Sequence, residues 1–352
     1  MSRRIVILTE GHTNPHTAKT ASCLIRYRRA EVLALLDGSQ AGRTTQELLG
    51  VGDDLPVIAS LDEAPTANTL LLGIAPPGGK IPAAWRAVIL QAISRGMNIW
   101  SGLHDFLGDD AEFVAAARQH GCELIDVRRN SEKQVSRRIG LGNDCLRIHT
   151  VGNDCSIGKM VTSVELTQGL NRRGIDAKFI ATGQTGIMVE GDGLPLDCVV
   201  ADFVAGAAEK MVIANQHHEV LVIEGQGSIS HPSYSGVTLS LLHGCAPHGL
   251  IYVYELGRHQ VTGVSHVEIP SHQTLLKLYD QLSNVNSTCR LLGIAINSRR
   301  VTAKEAAEER DRVRAAHGLP ACDVIRDGPD ELLDAIVSFR DRGEWRNWSL
   351  SP

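Results

Sequence analysis

Residues 146–164 read LRIHTVGNDCSIGKMVTSV, and the order of features in them decides the fold. The apolar, β-branched run Leu146 to Val151 predicts a strand. It ends in Gly152, five residues intervene, and Gly158-Lys159 opens a stretch with helical spacing. A strand, a glycine-bounded loop and a helix N-terminus turn backbone N–H groups and the positive end of the helix dipole toward one point, where a lysine ammonium adds its charge. The segment predicts a diphosphate cradle formed by Gly152, Asn153, Asp154, Cys155, Ser156, Gly158, Lys159 and Met160. The widespread form of such a loop has four residues between its glycines and a Ser or Thr after the lysine, whose hydroxyl holds Mg²⁺. Here the gap is five and Met160 stands at the hydroxyl position. Thr162 does not replace it, because two residues along a helix rotate a side chain by about 200°. Phosphate binding is expected, with a weakened case for Mg²⁺-dependent phosphoryl transfer.

Outward from this loop, strands are expected at Ala177 to Ala181, Glu219 to Ile223, Gly249 to Tyr254, Leu291 to Ile296 and Cys322 to Ile325. Helices follow Gly158, Thr302 and the turn Asp327-Gly-Pro-Asp330; Thr302 with Glu305 has capping-box spacing. Three further loops fall at strand ends: Thr182-Gly183-Gln184-Thr185-Gly186, Glu224-Gly225-Gln226-Gly227, and Asn297 after Gly293 to Ile296. In a parallel sheet such loops share the ligand crevice. Thr182, Gln184, Thr185 and Gln226 are therefore candidate substrate contacts, and Asn297 a candidate cofactor contact.

Residues 1–127 show the same alternation more weakly. Strands are expected at Arg4 to Leu8, Val32 to Leu36, Thr69 to Ile74, Met97 to Trp100 and Cys122 to Val127, with helices at Pro82 to Arg95 and Asp110 to His120. Thr9-Glu10-Gly11-His12 follows the first strand without a G-x-G-x-x-G fingerprint. Pro76-Pro77-Gly78-Gly79-Lys80 is either a ligand-covering loop or a rigid turn. Residues 128–145, rich in Arg, Ser, Asn and Gly, read as a linker, and 146–352 as the second domain.

The 35 Lys and Arg against 40 Asp and Glu give a net charge of −5 without a basic cluster, which argues against a nucleic-acid or anionic-membrane partner. The opening SRRIVILTEG reads as a strand and not a leader, and no apolar run approaches a membrane span. Eight cysteines without a C-x-x-C pair read as reduced thiols of a cytoplasmic protein, and no metal site is expected. Thirty-four glycines beside 4 % aromatic residues point to close backbone approaches at a binding site.

The segments GNDCSIGKM (152–160), ATGQTGI (181–187), DFVAGAAE (202–209), IEGQGSISHPSYSGVTLSLLHG (223–244) and GIAINSR (293–299) together resemble a bacterial and archaeal P-loop family long catalogued as a domain of unknown function, DUF1611. More distantly, the loop and the Glu224-Gly225 segment are similar to the dethiobiotin-synthetase-like P-loop branch. The first resemblance implies an α/β chain with an N-terminal Rossmann-like parallel-sheet domain and a C-terminal P-loop NTPase-like parallel-sheet domain. Members of that family include D-glutamate N-acetyltransferases, so it also implies acetyl-CoA as cosubstrate and a small acidic amino acid as acceptor.

Acyl transfer to an amine needs a base and oxyanion donors. Glu224, His231 and Tyr234 are the catalytic candidates. Arg258, Arg299 and Arg300 are candidate carboxylate clamps, because a guanidinium pairs bidentately with a carboxylate. Cys155 is either a thiol nucleophile near a helix N-terminus or a small loop residue. An ATP-dependent ligase or kinase using ATP with Mg²⁺ is the alternative, opposed by Met160; a nucleotide-binding switch is a second. The partner is a small molecule, and a homo-oligomer is expected.

Overall fold

The computed structural model describes residues 3–75 and 78–347; Pro76 and Pro77 of the suspected covering loop lie outside the described residues. The chain forms two compact units, Met1–Arg129 with Ile187–Gly191, and Asn130–Gly186 with Asp192–Pro352.

In the first unit, β1 (Ile5–Leu8), β2 (Val32–Leu36), β3 (Val57–Ile58), β4 (Thr69–Leu72), β5 (Asn98–Ser101) and β6 (Leu124–Asp126) form a parallel sheet in the order β3-β2-β1-β4-β5-β6. β1, β2 and β4 are apolar and almost wholly buried, as a sheet covered on both faces requires. This is the strand order of a Rossmann-like open, doubly wound sheet. The loop after β1 is held by the chain itself: the buried Asp37 carboxylate accepts from Gly11 N at 3.2 Å and Thr13 Oγ1 at 2.5 Å, and Trp85 Nε1 donates to the Glu10 carbonyl. The missing dinucleotide fingerprint is thus matched by a loop spent on internal bonds.

In the second unit, β7 (Leu146–Gly152), β8 (Ala177–Ile180), β9 (Val220–Ile223), β10 (Gly249–Glu255), β13 (Arg290–Asn297) and β14 (Ala321–Cys322) form a parallel sheet in the order β14-β13-β10-β7-β9-β8. A short antiparallel hairpin, β11 (Gln260–Val261) and β12 (Val264–Glu268), follows β10. The chain fills the sheet outward from β7 on one side through β8 and β9, then crosses to β10 on the other. The C-terminal ends of β9, β7, β10 and β13 therefore share one edge at the switch point, where a parallel sheet opens its ligand crevice.

Several elements differ from the sequence expectation. β3 and the hairpin are too short to leave a periodic signal. The strand expected over Cys122 to Val127 is shorter, Leu124–Asp126, and that over Cys322 to Ile325 pairs only at Ala321–Cys322. There the Asp323 carboxylate accepts from Ser298 N, Ile325 N and Arg326 N, which turns the chain away from the sheet. The expected capping box is present, with Thr302 and Glu305 each accepting the other's backbone N–H.

Residues 128–145 carry no helix or strand, yet their backbone is tied down. Glu209, buried on helix Ala201–Asn215, accepts from Arg137 N at 3.1 Å, Arg138 N at 2.9 Å and the Ser136 hydroxyl. Gly206 on the same helix lets the Gln134 carbonyl pass where a Cβ would sit 1.8 Å away. Glu209→Ala leaves these donors without their acceptor, so trypsin should cut after Arg137 or Arg138 in the variant and spare both in the parent chain, as read by fragment mass.

Candidate active site

The loop between β7 and helix Lys159–Arg172 curls through two left-handed residues, Ser156 (φ 56°) and Gly158 (φ 110°). Alternating backbone hands of this kind turn successive N–H groups to one side and make an anion-binding concavity. The loop is fastened from three directions. Gly152 packs so tightly that a Cβ would stand 2.5 Å from the Val253 carbonyl. Its own carbonyl accepts from the buried Tyr279 hydroxyl at 2.8 Å, and that hydroxyl also accepts from Ile229 N. Asn297 Nδ2 donates to the Ile157 carbonyl at 2.9 Å, which makes it a support of the loop from the end of β13.

Lys159 is buried, and its ammonium donates to the Asp154 and Gly227 carbonyls, both at 2.6 Å. Burial lowers its pKa from the usual lysine value, and the nearby Cys155, Asp154 and Glu224 oppose the loss of charge. The lysine thereby joins the phosphate loop to the loop after β9. Gly225 seals the same junction: its N–H donates to Thr150 Oγ1 at 3.0 Å, and a Cβ there would lie 1.8 Å from the Thr150 carbonyl. Met160 is half-buried in the first turn of the helix.

Glu224 stands just past β9 and is buried. Its Oε2 accepts from Thr182 N at 2.9 Å and Gly183 N at 3.1 Å. Burial raises its pKa to about 7, against the pull of those two N–H groups and Lys159. A carboxyl at that value is half ionised near neutrality, the condition for a general base. Thr182 and Gln226 serve it: Thr182 Oγ1 donates to the Glu224 carbonyl and receives Gln226 Nε2 at 3.0 Å. Gln184 and Thr185 open the next helix, Gln184–Glu190, on the same side. Gly186 approaches so closely that a Cβ would sit 2.3 Å from Glu224 Oε2.

His231 is buried with both ring nitrogens engaged. Nδ1 accepts from Ser233 N at 3.1 Å, which places the proton on Nε2, facing the Thr262 carbonyl at 3.2 Å and Asp154 Oδ1 at 3.9 Å. In this tautomer the ring is a donor, so the base expected at His231 has no lone pair to offer. Asp154, Cys155 and His231 bring potential metal-ligating atoms within 4.8 Å of one another, but a metal needs the lone pair that Nε2 lacks. Tyr234 stacks on His231 at 4.4 Å between centroids and is 49 % exposed, at the surface rather than inside the crevice.

The arginines expected as carboxylate clamps are drawn to internal carboxylates. Arg258, only 7 % exposed, bonds Asp154 Oδ2 at 2.8 Å, the Cys155 carbonyl at 2.8 Å and Glu255. Arg299 and Arg300 reach the same Glu255 at 2.5 and 3.2 Å but remain about half exposed. Arg258 is thus a brace of the phosphate loop. Glu255, the last residue of β10, was not among the sequence candidates; an acidic residue closing an apolar strand with three arginines near later strand ends was the available signal. Thr262, whose N–H and hydroxyl both bond Asp154 Oδ2, and Tyr279 left no such signal.

A Rossmann-like sheet and a P-loop sheet in one chain define the class, and the chain belongs to the family described as domain of unknown function DUF1611: its Rossmann-like domain matches residues 38–130 and its P-loop domain residues 131–333. The chain is 38 % identical over 268 residues to a D-glutamate N-acetyltransferase of Pseudoalteromonas sp, spanning 76 % of this chain and 80 % of that one. It is 40 % identical over 287 residues to a D-glutamate N-acetyltransferase of Tritonibacter scottomollicae, spanning 79 % and 84 %. It is also similar to the crystal structure of a DUF1611 family protein from Anabaena variabilis ATCC 29413, with a TM-score of 0.90 and 37 % identity over 96 % of this chain and 99 % of that one. Among the described residues, no helix is long and apolar enough to cross a membrane.

Removing Arg258 takes the direct ion pair from the buried Asp154 carboxylate and leaves it the hydrogen bonds of the neutral Thr262. Arg258→Ala should cost about 3–5 kcal/mol, measured as a shift in the urea midpoint, whereas Arg300→Ala, a half-exposed guanidinium and one of three arginines on Glu255, should cost under about 1 kcal/mol.

Proposed function

We propose that the chain is an acetyl-CoA-dependent N-acyltransferase whose acceptor is a small acidic amino acid, with D-glutamate the first candidate. The observation that carries this reading is the similarity, over about three quarters of the chain, to two proteins named D-glutamate N-acetyltransferase. The site is compatible with it in two respects. Acyl transfer from a thioester moves no phosphoryl group, so the thioether of Met160 at the Mg²⁺-binding position is no obstacle. Glu224 supplies a base whose pKa is about 7. In this reading the Glu224 carboxylate takes a proton from the acceptor ammonium and passes it to solvent, the freed amine attacks the thioester carbon, and the adduct gives up its second N–H proton, through Glu224, to the thiolate that departs as the C–S bond breaks.

Incubated with acetyl-CoA and D-glutamate in EDTA, the protein should release coenzyme thiol and form N-acetyl-D-glutamate at a rate that Mg²⁺ does not raise. Turnover that requires ATP and Mg²⁺, with no thiol release from any acidic amino acid, would overturn the reading in favour of a ligase. Because the base must be ionised, kcat/KM should climb about tenfold per pH unit below 7 and level off above it. Glu224→Gln should remove that limb and lower kcat by roughly 10²–10⁴-fold; a profile flat from pH 6 to 8 in the parent enzyme would exclude Glu224 as the base.

A further inference from the structure

The phosphate loop is surrounded by chemistry that suits a diphosphate poorly. Asp154 lies within the loop, is fully buried, and is held ionised: burial pushes its pKa up, but bonds from Thr262 and Arg258 bring it below the ordinary value. Glu224 is the second carboxyl beside Lys159. A diphosphate brings at least two more negative charges into this space, and with Met160 at the hydroxyl position the loop lacks the group that usually recruits Mg²⁺ to balance them.

Two buried oxygens of the loop, Asn153 Oδ1 and Asp154 Oδ1, have no hydrogen-bond donor. An unsatisfied buried acceptor costs about 1–3 kcal/mol, and more when it is charged. The nearest ring donor, His231 Nε2, stays 3.9 Å from Asp154 Oδ1, beyond bonding distance. A diphosphate offers only further acceptors at neutral pH and leaves both oxygens unsatisfied. A primary ammonium carries three N–H donors.

Reach points the same way. A pantetheine arm has roughly the span of four extended residues, about 14 Å, whereas a base must come within about 3 Å of the proton that it moves. Lys159 ties the loop to Gly227 at 2.6 Å, so Glu224, three residues earlier on the same segment, sits at the cradle itself. A diphosphate held on Lys159 would place an extended coenzyme's thioester far from Glu224.

We infer that the loop holds the acceptor amino acid and not the coenzyme diphosphate, with a carboxylate against Lys159 and the loop amides and the ammonium against Asp154 Oδ1. The inference rests on the acetyltransferase reading for the identity of the acceptor. It turns a P-loop into a zwitterion site, in which the ammonium meets one fixed carboxylate and lies beside the carboxyl that deprotonates it. The coenzyme then presents only its thioester end to this crevice.

The test is equilibrium binding by calorimetry at pH 7.5 without Mg²⁺, using D-glutamate, glutarate and CoA as probes on the full chain. D-glutamate is titrated alone and again with saturating desulfo-CoA, so that ordered binding does not hide the site. D-glutamate should bind at least tenfold more tightly than glutarate, which lacks the ammonium, and Asp154→Asn should erase that difference. Lys159→Met should weaken D-glutamate at least tenfold and change CoA affinity by less than about twofold. A tenfold loss of CoA affinity in Lys159→Met with D-glutamate unaffected would overturn the inference, as would D-glutamate binding in neither titration. The isosteric Asp154→Asn carries the test if Lys159→Met does not fold. Failure of the acetyltransferase reading shows separately, as absence of thiol release in a protein that still binds D-glutamate through Lys159.

Discussion

The second unit turns on one buried cation. The Lys159 ammonium has left bulk water and is held by two carbonyls, of Asp154 in its own loop and of Gly227 in the loop that follows β9. Desolvating an ammonium costs several kcal/mol unless charge and hydrogen bonds compensate. The surroundings supply both: Asp154 and Glu224 provide negative charge, and close packing around Gly225 keeps the two loops in register. A substitution that disturbs any of these groups acts on the lysine first and on the two loops through it.

A second layer of charge keeps the first in place. Asp154 is fixed by Thr262 of the hairpin and by Arg258, and Arg258 is fixed in turn by Glu255 at the end of β10. The chain of ion pairs runs from the phosphate loop to the edge of the sheet, where Arg299 and Arg300 complete it. Buried pairs of this kind are weak evidence for stability, since the cost of desolvation is comparable to the attraction gained. What they specify is geometry: one Asp154 oxygen is saturated with donors, and the other has none.

How much of this was legible in the sequence follows from how local each signal is. The strand, glycines and lysine of the phosphate loop lie within 19 consecutive residues, so their pattern could be read directly, and parallel sheets in both halves followed from the alternation of elements. Glu224 was legible because it directly follows an apolar strand. The partners that decide what the loop can bind come from far along the chain. Thr262 lies more than a hundred residues from Asp154, and Tyr279 farther still from Gly152. The position of the His231 proton was equally hidden, because it is set by the backbone of Ser233 within a tight turn. Arg258 stands out in the sequence by its charge, but the buried Asp154 and Glu255 that claim it are brought to it only by the fold.

Whether a loop shaped for phosphate holds an amino acid as a zwitterion is decided by where the two ligands lie. The most direct measurement is a crystal structure of the protein with D-glutamate and desulfo-CoA together. Amino-acid density is expected in the cradle, with a carboxylate on Lys159 Nζ and the ammonium within hydrogen-bond distance of Asp154 Oδ1. Density for the coenzyme diphosphate on Lys159, with D-glutamate elsewhere, would contradict it.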